Sequence, residues 1–364
     1  MQTTEQLKNI ANHFAIEGKI LDIKPLGNGL INDTLLVTTD GADKYVLQRV
    51  NNAIFQDVEL LQHNIDCATA HIRRKLEAAG EKDIDRKVLR FLPCKETGKS
   101  YWTDGQSYWR VSLFIRDAFT YETVDPKYSY FAGKAFGAFE AMLSDIPDTL
   151  GETIPDFHNM ELRARQLREA VQADKAGRMA QDEVRAILAD LKPYEEEMCK
   201  AERLYREGKL PKRICHCDTK VNNMMFDAEG NILCVIDLDT LMPSFVFSDF
   251  GDFLRTAANT VAEDDPAVEK VDFKMDIFEA FAKGYLESAR SFLTPVEIEN
   301  LPYAACLFPY MQAVRFFADY INGDTYYKIK YPEHNLVRTR NQVALFHAAL
   351  AKVPQMKAYI ESLL

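Results

Sequence analysis

The chain is predicted to be α+β and two-lobed. A small, mostly antiparallel β lobe with one long helix covers residues 1–116, and a larger, mainly helical lobe carrying one β-hairpin covers 117–364. Three observations predict this. Strand signals separated by turns rich in Gly and Asp crowd the first third of the chain. From Asp125 onward apolar residues recur at helical spacing, over 127–143, 158–174, 180–206, 273–289, 295–321 and 335–350. Inside that helical half, residues 214–239 read as two strand-like runs around a tight turn. At 364 residues the chain also exceeds the roughly 250–300 at which single cores stop growing.

Residues 4–17 place Leu7, Ile10, Ala11, Phe14 and Ala15 on one side of a short helix. Strands are expected at 20–26, 34–39 and 45–50, the last two joined by Thr39-Asp40-Gly41-Ala42-Asp43. Between the first two lies Gly27-Asn28-Gly29-Leu30-Ile31-Asn32-Asp33-Thr34. Glycines let backbone amides approach phosphates closely, and small polar residues such as Asn28, Asn32 and Thr34 help. The same residues also read as a plain hairpin turn. A helix is expected over 56–79, ended by Gly80, and strands around 87–91, 100–103 and 107–114, with Trp109 in the core.

The chemistry concentrates in ICHCDTKVNNMMFDAEGNILCVIDLD, residues 214–239. Folding this stretch about Asp227-Ala228-Glu229-Gly230 brings Asn223 and Asp237 to one end of a hairpin, with Asp218 beside them. An amide oxygen and a carboxylate suit a hard cation such as Mg2+, and a further carboxylate suits a general base. Phosphoryl transfer from ATP needs that combination. Read blandly, His216 and Asp218 cap a turn and Asp237 ends a strand.

The pattern H-x-D-x-x-x-x-N, with an Asp 14 residues after the Asn, resembles the catalytic segment of kinases. It is most similar to the aminoglycoside phosphotransferase and choline kinase superfamily, whose last element is I-D-x-[DE]. The resemblance implies a protein-kinase-like bilobal fold. It further implies Asp218 as base, Asn223 and Asp237 as metal ligands, and Asp239 as a further ligand, directly or through water. The glycine segment (Gly27, Asn28, Gly29, Asn32, Thr34) would cover the nucleotide, and the backbone of Phe114, Ile115 and Arg116 would meet adenine. Ser248-Asp249-Phe250-Gly251 spells D-F-G but lies 26 residues after Asn223, beyond an apolar loop, so Asp249 is expected to support the catalytic loop through its amides. His216 is expected to be scaffold. One departure stands out. The third strand should carry a Lys or Arg for the phosphates, and Gln48 occupies that place, with Arg49 on the other face.

Composition is that of a globular enzyme, 47% hydrophobic and 27% charged. A net charge of −11 without a basic run argues against nucleic-acid or anionic-membrane partners. Seven scattered cysteines suggest a reducing cytosol. In Cys215-His216-Cys217 neighbouring side chains point to opposite faces, which argues against zinc. With no secretory signal and no long apolar run in the sequence, a cytoplasmic monomer is expected.

Several longer stretches are similar to bacterial N-acetylhexosamine 1-kinases: NHFAIEG, the glycine segment, Tyr45-Val46-Leu47-Gln48, HCDTKVNN with IDLDTLMP, Arg315 to Tyr320, and Lys330 to Arg340. That resemblance implies ATP, Mg2+ and a sugar whose anomeric hydroxyl is phosphorylated. Asp218, Asn222, Arg315 and Tyr326 are then candidate sugar contacts, although Arg315 could equally form an i,i+4 ion pair with Asp319. Two alternatives stay open: a kinase for a cationic metabolite such as choline or homoserine, and a kinase-like binding protein without turnover.

Overall fold

A computed structural model describes residues 2–27, 31–122 and 124–364. The chain divides into two compact units, one of Met1–Tyr121, Met142–Pro155 and Asn222–Met242, the other of Glu122–Ala141, Asp156–Val221 and Pro243–Leu364. The expected break at 116/117 is therefore not where the units part. Residues 222–242 fold with the N-terminal segment, because Phe119 and Phe226 exchange backbone hydrogen bonds of 2.8 and 2.9 Å. Asn64 Nδ2 also donates to the Leu241 carbonyl at 2.9 Å.

The first unit is built on a five-stranded antiparallel sheet: β1 (Ile20–Pro25), β2 (Asp33–Thr39), β3 (Lys44–Val50), β4 (Trp102–Thr103) and β5 (Tyr108–Leu113), in the order β1-β2-β3-β5-β4. Period-two alternation sorts its residues. Val37, Tyr45, Leu47, Trp109 and Val111 join Ile10, Ala11 and Phe14 in an apolar core beneath helix Thr4–Ala11. The register pairs Thr34 with Gln48 and Gln48 with Arg110, so the opposite face carries a polar row across three strands. Helix Val58–Ala78 starts at Asp57, whose side chain accepts from Leu60 N, and Gly80 follows it at φ 71°. The strand expected at 87–91 is absent; Ile84–Arg86 is a 3-10 turn instead. Asp83 at φ 53° reverses the chain, and the amides of Arg86, Lys87 and Val88 bond back within the turn, so only Phe91 bridges to Ser112.

The second unit is mainly helical. The expected 180–206 helix is broken into Asp182–Leu191, Glu195–Met198 and Lys200–Arg206, with Pro193, which lacks an N–H, in the 3-10 turn between the first two. A helix not expected from the sequence, Phe247–Ala257, contains the D-F-G triplet. A Cβ at Gly251 would fall 2.5 Å from the Ala304 carbonyl, so glycine there lets this helix lie directly against Leu301–Ile321. Among the described residues, no helix is long and apolar enough to cross a membrane.

Candidate active site

In the first unit, strands Met224–Phe226 and Ile232–Val235 pair antiparallel. Their turn is held by Asp227, whose carboxylate takes the Asn231 N–H at 2.7 Å and Nδ2 at 2.9 Å. At the far end the Ile236 N–H donates to the Asn223 carbonyl at 2.9 Å, which places Asn223 beside the residue that precedes Asp237. Asp237 is exposed and adopts a left-handed conformation, φ 61°, a strained geometry that clusters at functional sites. Hard oxygen donors anchored at one hairpin end fit a divalent cation such as Mg2+. Asp239 is placed differently from its expected ligand role. It is buried at 4% exposure, its Oδ1 lies 2.6 Å from Arg110 Nη2, and its Oδ2 accepts from Asn32 Nδ2 at 2.5 Å.

Three of the expected nucleotide residues, Asn32, Thr34 and Gln48, join the same network. Gln48 Nε2 donates to Thr34 Oγ1 at 3.1 Å, and Gln48 Oε1 accepts from Arg110 Nε at 3.0 Å. Gly27 stands at φ 69°; Asn28 and Gly29 lie outside the described residues. At the expected hinge the Phe114 N–H bonds the Lys44 carbonyl, and the Arg116 carbonyl accepts from Arg86 Nε. These two groups already serve the protein, and Ile115 between them is buried at 4% exposure. Arg110, which sequence reasoning missed, could have been found by asking which residue faces Gln48 on the adjacent strand.

In the second unit, Asp218 follows Cys217, another left-handed non-glycine at φ 62°. Asp249 holds this bend: its carboxylate accepts the His216 N–H at 2.8 Å and the Cys217 N–H at 2.7 Å, and its carbonyl accepts from Thr219 Oγ1 at 2.8 Å. Burial pushes the Asp249 carboxyl up. Glu140 is pushed well above the usual carboxylate range, through burial and then the Asp249 charge. His216 is fully buried, edge-on to Phe136, and its Nδ1 accepts the Asp218 N–H at 3.3 Å. Lys220 Nζ lies 2.6 Å from Asp218 Oδ1. Cys215 and Cys217 are buried thiols pushed well up by desolvation.

Asp218 opens into a cleft of about 110 Å3 shared with His158, Asp252, Arg255, Gln312 and Arg315. Phe308, Met311, Gln312 and Arg315 reach it from one face of helix Leu301–Ile321, at the i, i+3, i+4, i+7 spacing of that face; that stripe was readable in the sequence. Arg315 is not paired with Asp319, as the alternative reading allowed. Asp319 instead accepts the backbone N–H groups of Thr325, Tyr326 and Tyr327. Arg315 bonds Gln312 Oε1 at 3.2 Å, with its guanidinium 5.7 Å from the ring centres of Phe157 and Tyr327. His158 is pushed well below its ordinary pKa, by burial first and then by Arg315, Arg163 and Arg255. Burial raises Asp252 to about 6 against the pull of Arg255. Tyr326, 74% exposed, lines a separate hollow of about 440 Å3 that Arg315 also borders. Asn222 is exposed in the first unit.

A segment H-x-D-x-x-x-x-N that runs into an oxygen-donor hairpin marks a small-molecule phosphotransferase of the kinase-like kind. Residues 22–286 match the model of the Phosphotransferase enzyme family, and the chain belongs to that family. Solved structures of low identity share the fold. An aminoglycoside phosphotransferase from Alicyclobacillus acidocaldarius is 13% identical, with a TM-score of 0.62 over 98% of this chain and 96% of that one. An amicoumacin kinase in complex with AMP-PNP and Ca2+ is 13% identical, with a TM-score of 0.59 over 93% and 92%. A spectinomycin phosphotransferase in complex with ADP and spectinomycin is 14% identical, with a TM-score of 0.56 over 96% and 99%.

Proposed function

We propose that the chain is an ATP- and Mg2+-dependent kinase that phosphorylates the anomeric hydroxyl of an N-acetylhexosamine. Asp218 accepts the hydroxyl proton, and the anomeric hydroxyl is acidic enough for a carboxylate to serve. Lys220, beside Asp218, offsets charge on the transferred group. Asn223 and Asp237 would hold Mg2+, which supplies charge neutralisation at the phosphates when bound.

The observation that carries the substrate class is the company Asp218 keeps in its cleft. Arg255, Arg315, Gln312 and a neutral His158 offer hydrogen bonds to hydroxyl and amide groups. In the same cleft the Arg315 guanidinium lies 5.7 Å from the centre of the Phe157 ring, a position a cationic acceptor would otherwise take. That is support for a neutral sugar; Asp218 and Asp252 are the features a cationic acceptor would use.

ADP release with Mg-ATP, measured against N-acetylglucosamine, N-acetylgalactosamine, galactose, glucose, choline and homoserine, tests this. Turnover on the two acetamido sugars is expected, with phosphorus NMR placing the phosphate on the anomeric carbon. Turnover confined to choline or homoserine would discard the sugar and keep the catalytic trio.

A further inference from the structure

The least accessible cation near the expected phosphate site is Arg110. Its residue is 2% exposed, and each edge of its guanidinium is engaged. Nε donates to Gln48 Oε1 at 3.0 Å, Nη1 to Gln62 Oε1 at 3.0 Å, and Nη2 lies 2.6 Å from Asp239 Oδ1. Its Cζ lies 5.3 Å from the centre of the Phe91 ring. Each partner belongs to a different element: β3, helix Val58–Ala78, and the 3-10 turn Leu238–Thr240.

The network continues on both sides. Asp239 Oδ2 takes Asn32 Nδ2, and Asn32 Oδ1 accepts the Asn51 N–H at 2.9 Å, which ties Asn32 of the glycine segment to the residue after β3. Gln62 Nε2 donates to Ser100 Oγ at 3.0 Å, and Ser100 Oγ donates to Asp66 Oδ2 at 2.5 Å, which extends the network along the helix. Asp239 stands two residues after Asp237, in the turn that Asp237 opens at φ 61°. Burying an ion pair is expensive, and with hydrophobic packing as the alternative it is weak evidence of stabilisation. Its spread over four elements points to geometry as its use.

We infer that Arg110 is a positioning residue for the metal-nucleotide. Acting through Asp239, it fixes the Asp237 turn and the root of the glycine segment, from β5 and not from the β3 position that Gln48 occupies. Asp239 is then an anchor, and the metal falls to Asn223 and Asp237. This rests on the phosphotransferase reading above.

The test is Mg-ATP binding to the full chain by titration calorimetry, which needs no acceptor. Arg110→Met is expected to weaken binding about tenfold or more, the scale of a broken buried charge pair. The double variant R110M/D239N removes both charges and leaves neither charge unpaired. It is expected to melt near the wild type yet bind Mg-ATP about tenfold more weakly. The swap Q48K/R110Q returns the cation to β3 and keeps Asp239 facing a charge, so binding within about threefold of wild type is expected. In turnover assays R110M should raise KM for ATP and leave KM for the acceptor in place. Wild-type affinity in R110M/D239N would overturn the inference, as would a swap no better than R110M. If the wild type itself fails to bind Mg-ATP, the phosphotransferase reading falls first.

Discussion

Asp249 and Asp239 are both buried carboxylates, one in each unit, and they are held in different ways. Asp249 has no guanidinium or ammonium among the hydrogen-bond donors described for it. Two backbone N–H groups hold it, and the buried Glu140 near it takes a hydrogen bond from Tyr285 OH. Asp239 faces a guanidinium and a side-chain amide. The difference follows from what each must hold. Asp249 shapes a backbone bend at Cys217, so its partners are amides of that bend. Asp239 must keep side chains from separate elements in register, and a planar five-donor fork can bridge several partners where one N–H cannot. One acid sets a conformation, and the other sets an assembly.

The sharpest way to separate holding from chemistry is Asp218→Asn. It should lower kcat by about a thousandfold or more, with a melting temperature like that of the wild type. Near-normal turnover would remove Asp218 as the base. Next in size is Asp249→Ala, which orphans two buried N–H groups and should cost about 3 kcal/mol in urea unfolding as well as activity. The exposed Asp237→Asn, which still tolerates the left-handed bend, should melt close to the wild type while raising the Mg2+ concentration needed for ATP binding. Equal melting of these two variants would erase the distinction between support and ligand.

Arg315→Ala should raise the acceptor KM about tenfold, a charged hydrogen bond's worth, and leave KM for ATP unchanged. A shift in the ATP constant instead would move Arg315 out of the acceptor cleft. The smallest effect concerns pH. His158 stays neutral when folded and takes a proton when unfolded below about pH 6.5. Its folded pKa is depressed, so its contribution is present above that pH and is lost on acidification, by at most about 1.4 kcal/mol per pH unit. His158→Gln should therefore lose less stability between pH 7.5 and 5.5 than the wild type does. Identical losses would show that the imidazole titrates normally.

Much of the site was legible because it is local. Asn223, the Asp227 to Gly230 turn and Asp237 lie within one hairpin, where turn chemistry and alternation determine who meets whom. The helix Phe247–Ala257 goes unread for another reason. Its polar residues Ser248, Asp249, Asp252, Arg255 and Thr256 do recur at helical spacing, but Asp249-Phe250-Gly251 reads first as a motif after an apolar loop, and the helix around it is overlooked. The 87–91 strand failed for a different reason: its apolar residues suited a strand, but the turn before them used the amides.

What the sequence by itself determined is the candidate set: Asp218, Asn223 and Asp237 in order, a loop-supporting Asp249, and a glutamine at the β3 position. What only the tertiary structure decided is who partners whom across long separations. Arg110 meets Gln48 and Asp239 because antiparallel register sets β5 beside β3 and the hairpin folds back onto the sheet. Arg315 turns toward the Asp218 cleft while Asp319 caps the 325–327 backbone. Spacing along one chain reports neighbours on one element; which of two charges a side chain meets depends on packing and burial, and those exist only once the elements come together.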